Sequence, residues 1–249
     1  MQDQLGKCIA ITSGKGGVGK SSVSAGVGAA LARMGRKALL IDADIGLRSL
    51  DIILGVAGKS VHDWGDALSG TCYITQAILD VDTVKNLSLL CAPRSGGADA
   101  VKFGQMCEKL REAYDYILID SAAGIGSGFE LAVSAADSVL VIVSGDVISM
   151  RTADTVRKIL DERFGKPVRM IINRFEGAPV KGEKLPNIDE VIDGAGIRLI
   201  GVVPYDRQIM FCAGKGVPVS PKSKAGRAFE RIAGRVAGEE IPIKNLDKM

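Results

Sequence analysis

Gly14-Lys15-Gly16-Gly17-Val18-Gly19-Lys20-Ser21-Ser22 is the stretch that decides how this chain is read. It fits G-x-x-x-x-G-K-[ST], the phosphate-binding loop. The apolar run Cys8-Ile9-Ala10-Ile11 precedes it and a helix-periodic stretch follows, which is the strand–loop–helix setting the pattern requires. Glycines lack a Cβ, so successive backbone N–H groups can turn inward around an anion. The helix beginning near Lys20 aims its positive end at the same place. Lys20 is expected to reach the β- and γ-phosphates of a nucleotide, and the Ser21 hydroxyl to sit on Mg²⁺.

Outward from the loop, short apolar runs alternate with helical patterns. Strands are expected near 7–12, 37–41, 87–91, 115–120, 138–143, 168–172 and 198–203. Helices are expected near 20–34, 99–113, 128–136, 149–164 and 223–238, with shorter ones near 61–69, 73–79 and 206–213. Runs such as Val139-Leu140-Val141-Ile142-Val143 are continuous rather than alternating, as in strands covered on both faces. The fold class implied is α/β: a doubly wound, mostly parallel sheet with helices on both faces. Ligands in such sheets bind at the carboxyl ends of the strands. In the first helix Val23, Val27, Ala30 and Leu31 share one face, and Gly26 and Gly28 are read as close-packing positions against the sheet. No repeat or linker divides residues 1–249, so one domain is expected, with a short tail over 239–249 and a loop over 175–187.

Other strand ends carry acids. Leu39-Leu40-Ile41-Asp42-Ala43-Asp44 places two carboxylates beside the phosphate loop. Tyr116-Ile117-Leu118-Ile119-Asp120 closes an apolar strand on an acid, a place from which a carboxylate holds Mg²⁺ directly or through water. Asn173 ends another strand, and its amide carries both a donor and an acceptor. Each of these also has an ordinary reading as a solvated strand end. The lone histidine, His62, has no marked partner from which to build a nucleophile–base–orienter set, and is read as structural.

Lys15 is a second lysine inside the loop. With it the sequence resembles the MinD/ParA family of deviant Walker A ATPases, whose signature is K-G-G-x-G-K-[ST]. The stretch Asp42-Ala43-Asp44-Ile45-Gly46-Leu47-Arg48-Ser49-Leu50-Asp51 is similar to that family's first switch, D-x-D-x-G-L-R-N-L-D, with Ser49 in place of Asn. Asp120-Ser121-Ala122-Ala123-Gly124-Ile125-Gly126 resembles the second switch, D-S-P-A-G-I-E, with Ala122 for proline and Gly126 for glutamate. The two departures imply a looser loop.

The resemblance covers nearly the whole chain and implies ATP and ADP as ligands, with Mg²⁺. Lys15 would reach across a dimer to the partner's nucleotide. Asp44 would position the attacking water and Asp42 would support the Mg²⁺ side. Gly124 would offer its N–H to the γ-phosphate, and Asn173 with the Pro204–Asp206 loop would hold adenine. The catalytic candidates are therefore Lys15, Lys20 and Asp44. The nucleotide-binding set is Gly14, Lys15, Gly16, Gly17, Val18, Gly19, Lys20, Ser21, Ser22, Gly124, Asn173, Pro204 and Asp206. The metal set is Ser21, Asp42 and Asp120. The resemblance further implies an ATP-bound homodimer and an activator protein. Its surface for both would include the helix over 149–164, near Asp146, Arg151 and Asp154, where a plain acidic helix start is the alternative reading.

Composition narrows the class without naming it. Hydrophobic residues make up 47% and charged residues 24% of the 249, a globular rather than disordered balance. A net charge of +3 gives no argument for nucleic acid by itself. Cys8, Cys72, Cys91, Cys107 and Cys212 are scattered and include no C-x-x-C, which favours free thiols in a reducing cytoplasm over disulfides or a metal centre. Residues 1–13 lack the basic start and apolar core of a signal peptide, and no apolar run reaches 18 residues. Arg207, Lys215, Lys222, Lys224, Arg227, Arg231 and Arg235 make the last quarter basic. Arg227, Arg231 and Arg235 form one stripe of the final helix, opposite Phe229, Ile232, Ala233 and Val236, so that helix reads as a domain helix packed on the sheet. An anionic membrane surface, on the inner face of the plasma membrane, is a further partner in the family, ahead of DNA. The tail Lys244-Asn245-Leu246-Asp247-Lys248-Met249 is too short and polar to anchor anything alone. The expected activity is ATP hydrolysis driving a dimerising switch in the placement of cell division. Flagellar-number control, chromosome or plasmid partition, a phosphate-loop ligase and a passive nucleotide-binding module are the alternatives.

Overall fold

The computed structural model describes residues 5–176 and 186–243. The 177–185 part of the expected loop and the Lys244–Met249 tail lie outside the described residues.

Eight strands form one sheet: β1 (Lys7–Thr12), β2 (Ala38–Ala43), β3 (Ile78–Asp80), β4 (Leu87–Leu90), β5 (Tyr116–Ser121), β6 (Ser138–Ser144), β7 (Val168–Phe175) and β8 (Leu199–Pro204). Their spatial order is β3-β4-β2-β5-β1-β6-β7-β8, and every neighbouring pair is parallel except β3 with β4. The helices are α1 (Lys20–Arg33), α2 (Leu50–Ile53), α3 (Trp64–Ser69), α4 (Ile74–Ala77), α5 (Ala100–Leu110), α6 (Ser127–Ala135), α7 (Val147–Arg163), α8 (Ile188–Ala195), α9 (Arg207–Gly214) and α10 (Lys224–Ala237).

Continuous apolar strands are what a two-faced sheet needs, because alternate residues point to opposite cores. Leu39, Ile41, Ile117, Ile119, Val139 and Val141 face one core, with Phe103, Phe129 and Val156 of α5, α6 and α7. Leu40, Leu118, Leu140 and Ile142 face the other, with Val27 and Leu31 of α1 and Phe229 and Ile232 of α10. The final helix is therefore a domain helix, as its apolar stripe implies. Its Arg235 leaves the basic stripe and donates to the carbonyls of Ile200 and Ile241, both at 2.7 Å.

The two glycines of α1 have different tasks. Gly28 lies against the sheet, where a Cβ would come within 2.9 Å of the Leu40 side chain. Gly26 instead faces α10, and a Cβ there would be 2.5 Å from the buried Phe229 ring.

Three elements depart from the expectation. The helix expected over 73–79 stops at Ala77, because Ile78 and Leu79 pair with Leu90 and Leu89 as an antiparallel edge strand; tertiary pairing overrides local propensity there. The short α2 follows the Asp42–Ser49 loop. Helix α8 carries a readable signal, since Asn187 caps it and Glu190 closes a capping box.

Gly26→Val is expected to destabilise the protein by about 1–3 kcal/mol through overpacking against Phe229. Urea unfolding checks this, and turnover per folded molecule should be unchanged.

Candidate functional site

The loop between β1 and α1 lies at the carboxyl end of the central strand, where the chain connections diverge to either side. Gly17 and Gly19 take φ of +79° and +85°, conformations that side chains rarely adopt. Gly19 also leaves room for Asn173, whose Nδ2 would be 2.5 Å from a Cβ on that residue. Gly14 approaches α7 so closely that a Cβ would meet the Thr152 carbonyl at 2.6 Å. Gly19 caps α1 with no side-chain hydrogen bond, so the helix start presents uncapped N–H groups to the cleft. That cleft has a volume of about 240 Å³ and is lined by Ser13, Gly17, Lys20, Ser21, Asp44 and Arg174, among others.

Asp120 at the end of β5 anchors the loop lysine. Its Oδ1 accepts from Lys20 Nζ and from the Ser24 hydroxyl, both at 2.9 Å. Asp120 is fully buried and Lys20 is 8% exposed. Asp120 Oδ2 is buried with no hydrogen-bond partner among the described residues. A buried carboxylate oxygen left over next to the phosphate loop's own lysine suits a divalent cation, and Ser21, which lines the cleft, offers a second oxygen, so the donor set fits Mg²⁺. Ser24 was not apparent from the sequence as a member of the site.

Asp42 lies beside Asp120 on the neighbouring strand, in the same register. Both of its oxygens are already engaged. Oδ1 accepts from Asp44 N–H at 2.9 Å, and Oδ2 from the N–H groups of Ser49 at 3.1 Å and Leu50 at 3.3 Å. Asp42 thus folds the first switch loop around itself, and in this conformation its carboxylate serves the loop while Asp120 has the open oxygen. Burial, reinforced by the nearby Asp120 charge, pushes the Asp42 carboxyl up to about 6 against three lowering backbone hydrogen bonds. Burial also raises the Asp44 carboxyl, with Lys20 opposing and Asp120 adding to the shift. Asp44 faces the cleft, as a water-positioning residue must.

The loop is pinned on its outer side by Arg48. Its guanidinium donates to the Ala92 carbonyl and to Asp63 Oδ2, the latter at 2.8 Å. Arg48 has a φ of +25°, a strained value for a side-chain-bearing residue. The indole N–H of Trp64 donates to the Asp42 carbonyl at 2.9 Å, tying α3 to the same loop.

One expected contact is not available. Gly124 N–H donates to the Ser13 carbonyl at 3.0 Å rather than standing open for a γ-phosphate. The physical reason is local: the turn after β5 passes close to the residue that follows β1, so this N–H meets the Ser13 carbonyl, and Gly124 continues the turn at φ +84°. Lys15 also has a partner within its own chain. Its Nζ lies 3.1 Å and 3.2 Å from the two oxygens of Asp146, and Lys15 does not line the cleft. Asp146 caps α7 through the Ser149 N–H. Burial raises the Asp146 carboxyl, but hydrogen bonds from Ser144, Ser149 and Lys15 outweigh it and hold it below the ordinary range.

Across the loop, Asn173 at the end of β7 is buried, and its Nδ2 donates to the Val18 carbonyl at 2.7 Å. Its Oδ1 has no partner among the described residues, leaving an acceptor suited to the adenine amine. Pro204 ends β8 in register with Phe175. Asp206 turns away to structural use, accepting from Gln208 N–H at the start of α9 and from Ala225 N–H at the start of α10. Any part of this segment in adenine binding therefore falls to backbone groups. Arg174, to which no motif assigns a role, lines the cleft with a φ of +56°. A positive φ at a strand end is visible only in the structure.

Residues 9–219 match the profile of the CobQ/CobB/MinD/ParA nucleotide binding domain. The chain is 39% identical over 244 residues to the septum site-determining protein MinD of Helicobacter pylori, covering 94% of this chain and 91% of that one. Among solved structures it resembles the MinC:MinD cell division protein complex of Aquifex aeolicus, with a TM-score of 0.90, 38% identity and coverage of 96% and 98%. It also resembles the MinD of Pyrococcus horikoshii complexed with Mg-ADP, with a TM-score of 0.84, 28% identity and coverage of 95% and 100%.

The raised Asp42 carboxyl has a consequence for stability. The folded state holds the Asp42 proton more tightly than the unfolded chain does, so stability is lost as pH rises from 3.8 through about 6. Asp42→Asn removes this dependence. Relative to wild type, the variant is expected to gain up to about 3 kcal/mol of unfolding free energy between about pH 4 and pH 7 without Mg²⁺. Denaturation at several pH values checks this; a constant difference would contradict it.

Proposed function

The chain belongs to the CobQ/CobB/MinD/ParA nucleotide-binding family, and on that premise we propose an ATP-driven switch that pairs two copies face to face. It is an ATPase of the MinD type, converting ATP to ADP and phosphate and acting in placement of the division site. We propose residues 1–249 as one ATPase domain.

The observation that carries the pairing is Lys15. One lysine, Lys20, already sits in the cleft with Asp120, while Lys15 is held outside it by Asp146. A cation parked at the rim of its own site is placed to serve another. The Lys15–Asp146 pair is more than a third exposed on both sides, so its contribution is at most about 1 kcal/mol. A phosphate on a facing subunit competes with it readily.

Within each site the protein supplies positions and charge. The uncapped start of α1 and the loop N–H groups take the phosphates. Lys20 moves from Asp120 towards the β- and γ-phosphates. Asp44, held at the cleft by the Asp42-centred loop, accepts a hydrogen bond from the attacking water and orients it. Lys15 of the facing subunit offsets charge on the transferring phosphoryl group. Asn173 Oδ1 meets the adenine amine. Ser21 and Asp120 would hold Mg²⁺, which when bound neutralises charge on the phosphate oxygens.

The Aquifex aeolicus relative was solved with MinC, and a protein partner of this kind fits the present chain. The surface we assign to it includes the start of α7, where Val147 and Ile148 are exposed. No helix among the described residues is long and apolar enough to cross a membrane. Attachment to an anionic membrane surface is therefore proposed as peripheral.

Asp44→Ala protein is expected to bind Mg-ATP, fail to hydrolyse it and sediment as a dimer; a monomer under these conditions would sink the switch. Lys15→Ala should retain ATP binding within about threefold, because it touches its own nucleotide little, yet lose turnover by about 10²-fold or more. Equilibrium nucleotide binding beside phosphate release separates the two effects.

A further inference from the structure

Helix α9 carries an exposed apolar pair that the nucleotide site does not use. None of its residues is buried. Met210 is 72% and Phe211 62% exposed. Arg207, Met210, Phe211 and Gly214 fall at i, i+3, i+4 and i+7, so they share one face. Side chains of this size on a monomeric surface are normally scattered, whereas here they are adjacent.

The surroundings are cationic. Arg207, Lys215, Lys222, Lys224 and Arg227 lie between 207 and 227, and no acid occurs in that stretch. Lys215 Nζ sits 4.3 Å from the centroid of the Phe211 ring. Asp206, which precedes the helix, has its charge engaged by the N–H groups of Gln208 and Ala225. The turn after α9 also packs against the turn after α2. Gly55 and Gly216 meet backbone to backbone, since a Cβ on Gly55 would lie 2.2 Å from the Gly216 carbonyl oxygen. Ile52 of α2 is 57% exposed on the same junction.

We propose that α9 is a docking face for an anionic lipid bilayer. Phe211 and Met210 would enter the boundary between headgroups and acyl chains, with Arg207 and Lys215 reaching back to the headgroups. Lys215 stacked on Phe211, with Arg207 on the same helical face, suits a flat anionic surface, and the stretch 207–227 adds cations without an acid. The face is on a folded helix between β8 and α10, independent of either chain end. The proposal rests on the peripheral membrane attachment of the preceding section and specifies where contact is made.

The test is co-sedimentation of the full chain, with Mg-ATP, on phosphatidylglycerol–phosphatidylcholine vesicles and on phosphatidylcholine alone. Wild type should bind the anionic vesicles at least tenfold more tightly and release them in high salt. Met210→Ser/Phe211→Ser and, separately, Arg207→Glu/Lys215→Glu should each lose tenfold or more of that affinity while keeping ATP binding and dimer formation. Wild-type binding that both double variants retain overturns the α9 assignment and leaves membrane attachment standing. No wild-type binding at low salt overturns the attachment itself and α9 with it. Variants that bind vesicles normally but lose self-association or retention on an acidic peptide assign the face to a protein, which also overturns the proposal.

Discussion

Lys20 and Asp120 bring opposite charges to 2.9 Å in a place almost closed to water. Burying either alone would be costly, and removing one partner of such a pair leaves the other uncompensated. The rest of the site is arranged around this constraint. The loop glycines allow the backbone turn that delivers Lys20 to the end of β5. Ser24, one turn into α1, supplies a second donor to the same oxygen. The second oxygen of Asp120 remains for a cation. In the proposed switch Lys20 exchanges Asp120 for a phosphate, one anion for another, so that neither charge is left bare.

The same logic extends to the switch loop at a greater distance. Asp42 is nearly as buried as Asp120 but has no cation, so three backbone N–H groups share its charge. Those bonds fix where Asp44 stands. Arg48, strained at φ +25° and tied to Ala92 and Asp63, closes the loop from outside. Trp64 reaches Asp42 from α3, and α2 leads on to the Gly55–Gly216 contact with α9. Packed contacts thus run from the Asp42-centred loop to the turn after α9.

How much of this could be read beforehand depended on whether the chemistry is local in sequence. Gly14–Ser22 declared the loop, and strand ends declared Asp42, Asp44 and Asp120, because strand, turn and acid are adjacent in the chain. The sheet was legible for the same reason, since continuous apolar runs require cover on both faces. The misses need three dimensions. Nothing near Gly124 says that its N–H is spent on Ser13, and nothing near Lys15 points to Asp146, 131 residues away. Arg174 looks ordinary until its positive φ turns it over the cleft. Strand β3 was hidden by a helical pattern that only its partner strand overrides. Helix α8 was missed although its capping box, Asn187 with Glu190, is local in sequence, because the Gly- and Pro-bearing residues before it read as loop.

The central claim is that each site is completed by the other subunit. Mixing Lys15→Ala and Asp44→Ala proteins and measuring phosphate release addresses it most directly. Each homodimer lacks one essential group in both sites. In the mixed dimer, the Lys15→Ala subunit keeps its own Asp44 and receives an intact Lys15 from its partner. The account predicts that turnover returns in the mixture and is absent from either protein alone. A mixture as inactive as its components, with mixed dimers shown to form, would place Lys15 in its own subunit's site and contradict the account.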